Sequence, residues 1–267
     1  MKQQWKELQD KSVQALLTDS KRRKNVPIRT DFVQRQDGKG KIPGALGALI
    51  NSSNGRSLDL YLLHRLAASA EPWDTKRDAA VWSRAMGLGD EAYGKDAVSR
   101  CWARLASRKL VLRERESKQA KITTLHESGS GEPYTAPSGN YFTLPLEYWS
   151  DDWYRKLTVQ GKAVLLVARS LRPGFYLPGN LVKKWYGFSG DVLTEGFNDL
   201  RAHNLISSED RTREDYSTAQ ITFTERHYSL KAPFSLPSKG TIDLSEILQK
   251  HADMLGQGVV QNERSTT

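Results

Sequence analysis

Lys95, Ser99, Arg100 and Arg104 lie at spacings close to one helical turn, which would place them together on one side of a helix. Set in a DNA major groove, such residues meet base edges. An arginine donates two parallel hydrogen bonds to guanine O6 and N7, and a serine makes a weaker, less selective contact. Arg113, Arg115, Lys118 and Lys121 follow in a stretch that alternates polar and apolar. Cations on such a hairpin would touch phosphate or the minor groove and bind through counterion release. Glu114 and Glu116 are interleaved with them, so cross-strand pairing on a solvated hairpin is the competing use. Lys21, Arg22, Arg23 and Lys24 form a third cationic cluster, suited to a phosphate backbone or minor groove, or to a solvated linker.

Other chemistries find little support. Cys101 is the single cysteine, so an intrachain disulfide and a cysteine-rich zinc site are excluded. The five histidines are scattered and lack metal-ligand spacing. The glycine pairs Gly38/Gly40 and Gly129/Gly131 lack the spacing and the Lys-Ser/Thr ending of a phosphate-binding loop. Tyr216 and Tyr228 stand as tyrosine nucleophiles only in name, because no paired-histidine metal motif accompanies them. The expectation is a protein that is not an enzyme and holds no cofactor or metal.

The cationic helix has an acidic sibling. Ser99-Arg100-Cys101-Trp102-Ala103-Arg104-Leu105 matches Thr194-Glu195-Gly196-Phe197-Asn198-Asp199-Leu200 at an offset of 95 residues. Val98, Trp102 and Leu105 correspond to Leu193, Phe197 and Leu200, so the same inner face is expected twice. Outside, Arg100 and Arg104 are replaced by Glu195 and Asp199. The second surface (Asp191, Thr194, Glu195, Asn198, Asp199) would repel phosphate, and that helix is not expected to lie in a groove. Lys183, Lys184, Arg211 and Arg213 remain available for a backbone. Trp149, Trp153, Trp185 and Tyr186 serve either as partner anchors or as core, with core favoured for most.

Composition agrees with an acidic partner. The 267 residues carry 40 Lys/Arg against 31 Asp/Glu, a net charge of +9. The surplus is uneven: 12 against 5 in residues 1–56, 13 against 10 in 57–127, and 11 against 12 in 128–230. A hydrophobic fraction of 38% with seven tryptophans supplies real cores. No apolar run reaches the length of a membrane span and no signal-peptide core is present, so an intracellular, membrane-free protein is expected.

Residues 1–56 form a basic arm, with a short helix striped by Trp5, Leu8, Val13, Leu16 and Leu17. In 57–127, Ser57 caps a first helix, a second runs from Lys76 to Met86 and stops at Gly87, and a third spans about residues 95–109. A hairpin from Leu110 closes the unit. Residues 128–140 are a turn-rich connector. In 141–230, Thr158 caps a nearly all-apolar helix, Phe175 begins a short strand, Gly187 stops a second helix and Ser189 caps a third. A hairpin follows, with Asp210 to Thr218 as its tip. Residues 231–267 hold a helix from about Ile242 to Leu255 and a disordered tail.

Three helices followed by a hairpin is the order of a winged-helix domain. The stretch Ala97 to Leu105, continuing to Leu110 and Val111, resembles the recognition helix and first wing strand of winged-helix regulators. Two such units on a basic chain resemble plasmid-type replication initiators, and the stretch from Tyr141 to Leu171 with the second repeat is similar to actinobacterial winged-helix proteins of mobile elements. The resemblance covers about residues 57–230. It implies a mainly α protein with small β-hairpins (α+β), two winged-helix domains in tandem, binding double-stranded DNA. A cytoplasmic, nucleoid-associated transcriptional regulator is the first expectation, with a homodimer formed through the second domain or the C-terminal helix. An initiator binding iterated origin sites is the alternative, and a protein-interaction module that never meets DNA is the third.

Overall fold

The structure, a computed structural model, describes residues 2–23, 25–51, 55–89, 91–116, 119–214, 216–217 and 221–236. The chain begins with α1 (Lys2–Ser20), β1 (Asn25–Arg29), β2 (Gln34–Asp37), β3 (Gly40–Pro43) and α2 (Ala45–Ile50). A first module follows: α3 (Arg56–Ala67), β4 (Asp74–Lys76), α4 (Ala79–Ala85), α5 (Ala92–Ser107), β5 (Val111–Glu116) and β6 (Gln119–Thr124). Then come β7 (Tyr141–Pro145), α6 (Glu147–Ser150) and α7 (Trp153–Lys156). The second module is α8 (Val159–Arg169), β8 (Phe175–Tyr176), α9 (Gly179–Tyr186), α10 (Gly190–Ala202), β9 (Ile206–Glu214) and β10 (Thr222–Leu230). The fold is therefore mixed helix and strand with small antiparallel sheets.

Both modules run helix, strand, helix, helix, strand, strand. Each closes a three-stranded sheet in which the last strand is central: β4-β6-β5 in the first and β8-β10-β9 in the second. The local signals behind these elements are ordinary. Val98, Cys101, Trp102 and Leu105 recur at helical spacing and all are buried, giving α5 one inner stripe. The Asp78 carboxylate accepts from the Ala80 N–H at 2.7 Å, Thr158 from Gly161 at 3.0 Å, and Ser189 from Val192 at 3.3 Å, capping α4, α8 and α10. Gly187, at φ +79°, ends α9 in the left-handed region that glycine enters without a Cβ clash.

Several expectations change. The segment 1–56 is no free arm. Val13 and Leu16 of α1 are buried against the first module, and β1 pairs antiparallel with β7, Val26 facing Leu144. Ser57 does not cap α3: the helix already starts at Arg56, after Gly55 at φ +64°, and Ser57 is buried inside it. Lys76, expected to open the second helix, instead ends β4, which pairs with β6, and the helix starts at Ala79. Asp210 to Glu214, expected at a hairpin tip, belong to β9 and pair with residues 222–226. Cross-strand ion pairs hold this extension, Arg226 to Asp210 at 2.7 Å and Arg213 to Glu225 at 3.1 Å. The expected helix 242–255 lies outside the described residues.

One hydrophobic core runs through both modules. Gly47 packs so closely on the Tyr186 backbone carbonyl that a Cβ there would collide with it. The connector is pinned as well. Glu127 is fully buried, bonded to Arg29 at 2.6 Å and within 3.7 Å of Arg65, which donates to the Tyr134 hydroxyl at 2.6 Å. This cluster ties β1, α3 and residues 127–134 together.

Candidate nucleic-acid interface

Helix α5 starts at Ala92, one turn earlier than expected, which brings Tyr93 onto its outer face. Tyr93, Asp96, Arg100 and Arg104 follow one another at steps of three and four and are all exposed, so they form a single ridge. Tyr93 is 61% exposed. Arg56, from the first turn of α3, donates to its hydroxyl at 3.4 Å, and that guanidinium holds the phenol below its usual range. Lys95, Arg100 and Arg104 make no ion pair among the described residues. Cys101, on the inner side, is buried, and burial raises its thiol. Sequence reasoning did not find Arg56 or Tyr93. The one available signal was an aromatic side chain at the outward spacing of Arg100, hidden by placing the helix start at Lys95.

The hairpin sorts its charges by face. In β5, Val111, Arg113 and Arg115 project to one side and Leu112, Glu114 and Glu116 to the other. Val111 is buried, so the arginine side is the side that faces α5. Arg113 donates to the Ser99 hydroxyl at 3.1 Å and to the Ser99 carbonyl at 3.3 Å, fastening the hairpin to the helix and extending the cationic ridge onto β5. Arg115, farther out, is exposed and makes no ion pair among the described residues. Ser99 and Arg113 thus hold one another, and their free contact capacity is smaller than their types suggested.

Lys121 lies on the opposite face. It pairs with Asp74 at 3.4 Å and lies 3.9 Å from Glu116, while Lys76 bonds Glu116 at 2.9 Å. Its expected place on the cationic surface is corrected: register opposite Glu114 turns it away from α5. Lys118 lies outside the described residues, as does Lys24. The other members of the N-terminal cluster do not share one surface role. Arg22 donates to the carbonyls of Leu66, Arg65 and Ala68 at 3.1, 3.0 and 3.3 Å, capping the C-terminal end of α3. Burial lowers its guanidinium to about 10, still charged at neutral pH. Lys21 and Arg23 are exposed on the turn after α1. Arg22, read as part of a DNA-following arm or a solvated linker, is therefore a helix cap.

Two of the acidic sibling's three carboxylates, Asp199 and Glu195, are bonded within the chain. Asp199 accepts from the Thr158 N–H and hydroxyl, each at 2.8 Å, at the N-terminal end of α8, where the helix dipole favours an anion. Glu195 accepts from the Gln160 amide at 2.8 Å. Asp191 stays exposed. The four aromatics for which core was favoured over a partner-anchor role sit in the core or against it. Trp149 and Tyr186 are buried, and half-buried Trp153 and Trp185 are covered by Lys156 and Lys41 at 4.8 and 4.5 Å from the rings. His64 is a core residue: its ring nitrogens meet the Thr75 and Thr124 hydroxyls at 3.1 and 3.0 Å, and burial lowers its pKa to about 3.

Among the described residues no helix is long and apolar enough to cross a membrane. No family model, curated protein or solved structure matches the chain.

Proposed function

We propose that the chain binds double-stranded DNA as a tandem winged-helix protein, reading the major groove with α5 and steadying the duplex with the β5–β6 hairpin. The observation that carries this reading is the row of exposed cations Arg100, Arg104 and Arg115, none in an ion pair among the described residues, which lies beyond Asp96 on the α5 ridge, has Lys95 nearby and is buttressed by the Arg113–Ser99 contact. The helix–strand–helix–helix–strand–strand order, with the last strand central, supports the winged-helix reading of both units. Residues facing one way, with every nearby carboxylate of the hairpin turned the other way, suit a polyanion better than a protein surface of mixed charge. The role is that of a cytoplasmic transcriptional regulator. The second module, whose helix α10 carries acid where α5 carries guanidinium, holds the first in place and supplies the surface for a second copy or a partner.

Selection of bound duplexes from a random pool, followed by salt titration, tests this. An enriched motif is expected, with affinity falling steeply as salt rises and with the joint Arg100→Ala, Arg104→Ala variant losing that motif. Absence of enrichment, or a variant that binds like the parent, would sink the reading.

A second reading, a replication initiator on iterated origin sites, is favoured by the shared core. Two units locked at one relative orientation suit sites at a fixed spacing. Footprints on regularly repeated sites with melting of adjacent duplex would favour it, whereas a single protected palindrome favours the regulator.

A further inference from the structure

A cleft of about 400 Å³ opens between the end of α5, β2 and the start of α2. Arg35, Arg108 and Lys109 line it, and no Asp or Glu does. None of the three cations makes an ion pair among the described residues. Arg35 spends only its Nε, on the Pro43 carbonyl at 3.2 Å, leaving its terminal nitrogens without a partner among the described residues. The wall's two hydroxyls are already engaged: Ser107 donates to the Arg104 carbonyl and Ser128 bonds the His126 ring, each at 2.8 Å. Carboxylates of the flanking segments are held elsewhere. Asp37 accepts from the Lys39 N–H at 2.8 Å, Glu127 is buried on Arg29, and Glu132 accepts from the Ser130 hydroxyl at 3.4 Å. Arg35 and Arg108 are half-buried, so their charges are partly stripped of water and repel one another with no counter-charge between them.

The backbone of Lys109 is an independent sign. It closes α5 at φ +54°, its N–H donating to the Ala106 carbonyl at 2.9 Å and the Leu110 N–H to Leu105 at 3.1 Å. Helix α10 ends in the same turn: Asn204, at φ +56°, donates to Arg201 and Leu205 to Leu200, both at 2.9 Å. Asparagine enters this left-handed region readily and α9 uses glycine there, whereas the lysine Cβ is crowded. Such strain is kept where the side chain has a task. The dipole of α5 favours cations at its end, but it does not account for Arg35, which arrives from β2. We infer that this cleft binds a phosphoryl group, held by the forks of Arg35 and Arg108 and by the Lys109 ammonium. A carboxylate brings two oxygens and one charge, whereas a phosphoryl group brings three oxygens and a charge of up to about two. No aromatic side chain lines the cleft to stack a base, and its small residues leave room for whatever carries the phosphate. The source is either a free phosphorylated molecule or the backbone of a duplex lying on α5, the latter resting on the DNA reading.

Two titrations of the full chain separate the sources: pyrophosphate by calorimetry, with acetate as the single-charge control, and duplex DNA across a range of salt. Lys109→Asn copies the turn that ends α10, so its melting midpoint is expected not to fall. With a free molecule as ligand, the parent binds pyrophosphate saturably below about 1 mM and the variant about tenfold more weakly, with an unchanged duplex salt slope. With the duplex backbone as ligand, the variant's salt slope is shallower by about one. The joint Arg100→Ala, Arg104→Ala variant is expected to keep the parent's pyrophosphate affinity, because neither residue lines the cleft. That arm needs no DNA, so it stays readable if the DNA reading fails. The inference is overturned if Lys109→Asn matches the parent in both titrations, if acetate binds as tightly as pyrophosphate, or if the joint arginine variant loses pyrophosphate as well.

Discussion

At the scale of residues, identical cations have different work. Arg100 and Arg104 project from α5 with no ion pair among the described residues, Arg113 braces the hairpin, Arg22 caps α3, and Lys121 is spent on Asp74 and Glu116. Their substitutions are accordingly expected to separate. On the proposed reading, Arg100→Ala would remove a base contact, costing about 1–3 kcal/mol of binding and relaxing preference at one position of the selected site. Arg115→Ala weakens all sequences alike and lowers the salt slope by about one counterion, while Lys121→Ala changes little. Anisotropy titrations on matched and mismatched duplexes at several salt concentrations distinguish the three. His64 sets an acid limit. Its folded pKa is about 3 against an unfolded value near 6.5, so between those values the unfolded chain binds a proton that the native state refuses. Stability therefore falls as pH drops through that window, by about 1.4 kcal/mol per unit from this group. Urea midpoints measured from pH 7 to pH 4 check this, and a midpoint that rises on acidification would contradict it.

At the scale of elements, α10 is best understood as a brace. Asp199 closes the first turn of α8, so Asp199→Ala is expected to cost about 0.5–2 kcal/mol of stability, read as a lower denaturation midpoint, with DNA affinity of the folded fraction unchanged. That role was not legible in the sequence. Four-residue spacing put Asp199 on a face with Glu195, and only the packing of α10 on α8 shows that this face looks inward at its lower end. The helices themselves were legible, because α5 and α10 carry their inner stripes within a dozen residues. Strands whose partners lie far away were not: Val26 pairs with Leu144, and nothing local in β1 announces it. The segregation of arginine and glutamate on β5 was present in the alternation from Arg113 to Glu116. It became decisive only when the β6 register placed Lys121 opposite Glu114.

At the scale of the whole molecule, the two modules share one core, and the N-terminal segment belongs to it. Residues 57–127 alone would lose the cover of α1, the β1–β7 pair and the Arg29–Glu127 contact. The full chain is therefore expected to unfold in one transition, coincident by tryptophan fluorescence and far-ultraviolet dichroism, and the excised segment to remain unfolded. Two separated transitions would show that the modules are independent after all. Rigid coupling also bears on function, since a duplex bound to α5 meets the second module at a fixed place. The structure of the protein bound to its selected duplex is the most direct measurement. Helix α5 is expected in the major groove, with the Arg100 guanidinium within hydrogen-bonding distance of a guanine edge and Arg115 on phosphate. A duplex seated against Asp191 and Glu195 of α10, with Arg100 left in solvent, would contradict it.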